Sequence, residues 1–106
     1  MKKLLFALGL CRKAGALTCG TPMICAELPK GRILLVVESS DTSDGTHKKL
    51  TDKCLYYGVK HLRISADGER LAAAVGKTGF LASVGVSDKN LAGLVESACM
   101  EETTNC

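Results

Sequence analysis

The sequence has 106 residues, a net charge of +3, 46% hydrophobic and 24% charged residues, and no Trp. That length fits one domain, able to bury about two-thirds of its unfolded surface without disulfide staples. Only Phe6, Phe80, Tyr56 and Tyr57 are aromatic, so the core must be aliphatic, and a sheet paved with rings for stacking bases is disfavoured.

The N-terminus begins with Met1-Lys2-Lys3 and an apolar run, as a signal peptide does. Arg12-Lys13 breaks the run after about eight residues, and no small-residue cleavage site follows. Leu4, Leu5, Leu8 and Cys11 instead share one face of an amphipathic helix expected over Lys2–Ala14 and closed at Gly15. A very short strand follows at Ala16–Cys19. Thr21 is expected to cap a second helix with Pro22 at its first position, ending near Pro29-Lys30-Gly31.

Arg32–Glu38 is apolar almost throughout, which predicts a strand covered on both faces. Ser39–Gly45 is a polar loop. A third helix is expected over Thr46–Tyr57, ending at Gly58, and a strand over Val59–Ser65. Asp67 is placed to cap a fourth helix through Leu71–Val75 to Gly76. Phe80–Val86 is the last strand, and Ser87 or Asp88 caps a final helix through about Cys99. The domain should span residues 1–100, with 101–106 frayed. No segment approaches the roughly 18 apolar residues of a membrane span. Alternation of strands and helices predicts an α/β chain with a sheet of about four strands, covered by helices on both faces.

Three chemical readings arise. Gly76-Lys77-Thr78 matches the end of a phosphate loop, but the required earlier glycine falls at Leu71, and these residues follow a helix rather than a strand. The six cysteines contain no C-x-x-C pair, so neither a structural zinc site nor a thioredoxin-like motif is indicated. Cys11, Cys25 and Cys54 read as small buried hydrophobes on helix faces. His47 and His61 lie in no catalytic signature and read as ordinary surface or strand residues. No metal, cofactor or catalytic residue is expected.

The third reading is a polyanion site. Residues 1–63 carry eleven Lys/Arg against five Asp/Glu, and residues 64–106 carry three against six. A basic half suits a nucleic-acid partner. Lys13 lies at the end of the first helix, and Gly20-Thr21 opens the second, where backbone N–H groups favour phosphate. Ser39, Ser40, Asp41 and Thr42 form a loop leaving a strand. Lys48, Lys49 and Lys53 lie on the third helix, and Lys77 and Thr78 precede the last strand.

The run Leu8-Gly9-Leu10-Cys11-Arg12-Lys13-Ala14-Gly15-Ala16-Leu17 resembles the opening signature of kink-turn-binding proteins of the large ribosomal subunit, the L-seven-Ae and L-thirty-e type. Gly20, Thr46-His47-Lys48-Lys49 with Asp52-Lys53-Cys54 and Tyr57, and Leu71–Lys77 fit the same family. The likeness covers about residues 4–96 and is strongest to its short bacterial, YlxQ-like members. It implies a three-layer α/β/α sandwich with a four-stranded mixed sheet and a non-catalytic, cytoplasmic RNA-binding protein associated with the ribosome or translation factors. The partner would be a structured RNA, kink-turn-like or internal-loop. Three segments would meet it: Gly20-Thr21, Ser39–Thr42 and Lys77–Gly79.

The sequence departs from the family where bases are read. The family's Gly-x-Asn-Glu-x-x-Lys corresponds here to Gly20-Thr21-Pro22-Met23-Ile24-Cys25-Ala26. Pro22, Met23 and Ala26 offer no strong polar side-chain group. Such base-edge contacts each discriminate by roughly 1–3 kcal/mol, and without them phosphate contacts position an RNA but do not read it. The rival reading is a protein-interaction module that kept the fold and lost the RNA; a thiol enzyme ranks last.

Overall fold

The apolar spacing at the N-terminus builds α1 (Lys2–Lys13), whose Leu4, Ala7, Leu8 and Cys11 are buried. The helix stops where Gly15 takes φ 70°, a left-handed conformation that costs glycine nothing. The chain then forms β1 (Leu17–Cys19), α2 (Thr21–Glu27) with a 3-10 turn at Leu28–Lys30, β2 (Leu35–Glu38), α3 (Asp44–Tyr57), β3 (Lys60–Arg63), α4 (Gly68–Ala74), β4 (Ser83–Val86) and α5 (Lys89–Thr104). This computed structural model describes residues 2–104, with side chains through Met100.

The four strands form one mixed sheet in the order β1-β4-β2-β3. β4 pairs antiparallel with both β1 and β2, and β2 pairs parallel with β3. Strand alternation sends Leu35, Val37, Val84 and Val86 to the larger core, packed by α1, α4 and α5 through Leu8, Leu71 and Val95. Val36 points the other way, into a smaller core with Ile24, Leu28, Leu50 and Cys54 of the α2–α3 layer. Gly85 makes room for that layer: a Cβ there would lie 2.8 Å from Ile33 Cδ1. The expected sandwich, with helices on both faces of a four-stranded mixed sheet, is the observed one.

Several boundaries and caps differ from expectation, each for a local reason. Thr21 does not cap α2. Gly20 holds that position at φ 93°, without a side-chain cap, and the Thr21 hydroxyl shares a 2.8 Å hydrogen bond with Ser83. α3 starts two residues before Thr46, because the Ser43 hydroxyl accepts from the Thr46 N–H at 3.3 Å. Asp67 caps α4 as expected, and Asp88 rather than Ser87 caps α5 by accepting from the Leu91 N–H at 2.9 Å. All four strands are shorter than their apolar runs. Ile33 stays buried although β2 begins only at Leu35, because it packs over Gly85 as a plug rather than as strand. Of the tail 101–106 expected to fray, residues 101–104 are part of α5, and Asn105 and Cys106 lie outside the described residues.

Cys11 and Cys54 are buried free thiols, as their helical positions imply, whereas Cys25 is only half-buried. Burial pushes the Cys11 thiol up, and burial with the neighbouring Cys25 and Glu38 pushes Cys54 up to about 11. Cys54 should therefore resist alkylation at pH 8 in the native state and react only on unfolding. Between pH 9 and about 11 the unfolded thiol loses its proton and the folded one keeps it, so stability falls with pH there. Mass spectrometry of iodoacetamide-treated protein checks the first effect, and denaturant titration at several pH values the second.

Candidate nucleic-acid interface

Three segments far apart in sequence meet at one corner of the sandwich, and short hydrogen bonds tie them to the start of β4. The Gly20 N–H donates to the Ser83 carbonyl at 3.0 Å, and the Ser39 N–H to the Ala82 carbonyl at 2.9 Å. The Ser40 N–H reaches the Ala66 carbonyl at 2.9 Å, which draws in the chain leading to α4. Asp41 then accepts from the Gly68 N–H at 2.8 Å, and the Leu81 N–H donates back to the Gly68 carbonyl at 3.0 Å. The Gly20 turn, the Ser39–Thr42 loop and the Lys77–Leu81 loop are thus one hydrogen-bonded surface.

The side chains divide into those that shape this surface and those that face outward. Ser39 and Thr42 are buried; their hydroxyls bond at 2.9 Å, and Thr42 also donates to the Ser39 carbonyl at 3.0 Å. Both were expected to meet a partner; their burial makes them shapers of the loop instead. Thr21 and Asp41 are likewise engaged within the fold, through Ser83 and Gly68. Ser40, Lys77 and Thr78 are exposed. Lys77 sits between Gly76 and Gly79, whose φ values of 75° and 86° turn the chain sharply. Pro22 and Met23 are exposed at the opening of α2, and Ala26 is exposed in its last turn.

Two arginines missed by motif reading belong here. Arg12 donates to the Val75 carbonyl, anchoring the end of α4, and lines a shallow depression with Thr18, Met23, Glu27 and Lys77. Arg63 reaches from β3 to the carbonyls of Ser40 at 3.1 Å and Thr42 at 3.4 Å. Their sequence signal was only positive charge; the targets lie 63 and about 21–23 residues away.

The sequence profile of the Ribosomal protein L7Ae/L30e/S12e/Gadd45 family matches residues 2–101. The chain belongs to this family. It is 33% identical over 85 residues to the "RNA-binding protein YlxQ" of Bacillus subtilis (strain 168), covering 80% of this chain and 83% of that protein. The Enterococcus faecium protein of the same name is 29% identical over 76 residues, covering 72% and 73%. A solved Bacillus halodurans C protein of unknown function superposes with a TM-score of 0.88 at 29% identity, covering 94% of this chain and 99% of that one. The Giardia lamblia 15.5kD RNA binding protein has the same fold, with a TM-score of 0.77 at 17% identity over 94% and 84%.

The L7Ae-type fold does not gather every lysine singled out above. Lys13 lines a neighbouring depression between α1 and the end of α4, with Arg12 and Gly76. Lys48 and Lys49 are exposed on α3, and Lys49 lines a separate surface with Asp52, Lys53, Tyr56 and Tyr57. No helix among the described residues is long and apolar enough to cross a membrane.

His47 and His61 are not the isolated residues the sequence suggests. The Nδ1 of His47 lies 2.9 and 2.8 Å from Oε1 and Oε2 of Glu38, and the Nε2 of His61 lies 2.6 Å from Oε1. Glu38 is wholly buried at the end of β2. The parallel register of β2 and β3 places His61 on the same sheet face as Val36 and Glu38, beneath the first turn of α3 that carries His47. Among the described residues, this is the one group with the donor set of a metal site.

Proposed function

We propose that this protein binds structured RNA at the corner built from Gly20–Met23, Ser40–Asp41 and Lys77–Gly79, and that it catalyses no reaction. The observation that carries this reading is the convergence of the Gly20 turn and the Ser39–Thr42 loop on Ala82 and Ser83, beside the Lys77–Leu81 loop, with Arg12 and Lys77 lining the adjoining depression and Lys13 next to Arg12. Membership of the L7Ae-type family and the likeness to RNA-binding YlxQ proteins support it. Backbone N–H groups and basic side chains grip phosphate, and the exposed Pro22, Met23 and Ala26 leave the bases unread. The protein is accordingly a cytoplasmic, ribosome- or translation-associated binder of bent or internal-loop RNA, recognising shape more than sequence.

A gel-shift series tests this. A kink-turn RNA, the same RNA with its G·A pairs replaced, and an unrelated duplex are compared at two salt concentrations. Binding should weaken steeply with salt, and replacing the G·A pairs should change affinity by less than about tenfold. No binding to any structured RNA, or indifference to salt, would overturn the proposal. The exposure of Met23 (56%) and Phe80 (58%) favours protein docking as the second reading, which predicts binding unaffected by salt and lost in Met23→Glu.

A further inference from the structure

We infer that Glu38, His47 and His61 bind one divalent transition-metal ion of the zinc class. The three come from β2, α3 and β3, and their ligating atoms all lie within 4.8 Å of one another. Zinc takes imidazole nitrogen at roughly 2.0–2.1 Å and carboxylate oxygen at roughly 2.0–2.2 Å. Tetrahedral ligands at those distances stand about 3.3 Å apart. The three nitrogen–oxygen separations here are 2.9, 2.8 and 2.6 Å, so the group must open by about half an ångström to admit an ion.

The surroundings allow that opening on one side and hold the site on the other. The His47 side chain is 39% exposed and can swing, giving an ion a path from solvent. The His61 side chain is 13% exposed and Glu38 is wholly buried, so these two are fixed by the sheet. Two imidazoles and one carboxylate leave a fourth position for water on the exposed side of His47. This composition suits zinc, cobalt or nickel better than magnesium or calcium, which prefer all-oxygen shells.

The charge of Glu38 already has one partner in the fold. A buried carboxylate needs compensation, and the nearest fixed cation is Arg63, with its Nε 3.6 Å from Glu38 Oε2. The Arg63 guanidinium spends its hydrogen bonds on the carbonyls of Ser39, Ser40 and Thr42.

The test uses the full chain in a Cys19→Ser, Cys25→Ser background, titrated with Co²⁺ while visible absorption is followed, and then with Zn²⁺ in competition. One equivalent of Co²⁺ should bind with tetrahedral d–d bands and no thiolate charge-transfer band. Zn²⁺ should displace it. His47→Ala, at the exposed ligand, should keep the far-UV circular dichroism of the parent and weaken binding by more than about tenfold. His61→Ala should do the same. Absence of any bound Co²⁺ at millimolar metal overturns the inference. So does binding undiminished in a folded His47→Ala variant, or a thiolate charge-transfer band.

Discussion

Leu71→Ala is expected to destabilise the protein by about 2–5 kcal/mol, out of a total that for domains of this size is about 5–15 kcal/mol. Leu71 is wholly buried on α4, in the larger core with Leu8, Val75 and Val84. Truncation removes three carbons from water-excluded packing and leaves a hole that short α4, pinned at Asp67 by its cap and at Val75 by Arg12, cannot collapse to fill. Midpoint temperature should fall by roughly 8–40 °C, since each kcal/mol is worth about 4–8 °C in a small domain. A thermal melt by circular dichroism reads this directly. A drop of a degree or two would mean that α4 is loosely held.

The double variant Lys13→Glu, Lys77→Glu should weaken RNA binding on the order of tenfold or more and flatten its salt dependence. Each phosphate contact contributes roughly 0.9 to the slope of log K against log salt for a duplex, or 0.7 for a single strand. Two lost contacts lower the slope by roughly 1.4–1.8. Both lysines are exposed, so the fold should be untouched. Lys49→Glu, on the Tyr56–Tyr57 face, serves as the comparison and should leave the slope unchanged. An equal loss in both variants would place the RNA across α3 instead.

Most of the architecture was legible because it is local. The spacing of Leu4, Leu8 and Cys11 fixes a helix face, and Gly15 and Gly58 adopt the left-handed conformations that close α1 and α3. The apolar run through Val37 requires cover on both sides, which is the layered fold. The side-chain partners were not legible, because they depend on register and on contacts across the sheet. Nothing near Thr21 says that Ser83 will take its hydroxyl, and nothing near Ser39 says that it will be buried. The same holds for Glu38, which reads as the polar end of a strand. Its partners lie nine and 23 residues away, and the β2–β3 register brings His61 to it. At the candidate interface, Lys77 and Gly20 could be read from turn chemistry, whereas Arg12 and Arg63 could not be told from solvated surface charge.

The convergence of the Gly20 turn and the Ser39–Thr42 loop on Ala82 and Ser83 has a kinetic consequence. These loops hang from β4, a strand interior to the sheet, and share its order. Their conformational entropy is surrendered when the chain folds rather than when a partner arrives. Encounter then needs no slow rearrangement of the protein, and the rate of association is governed by diffusion and by the attraction of the surrounding cations.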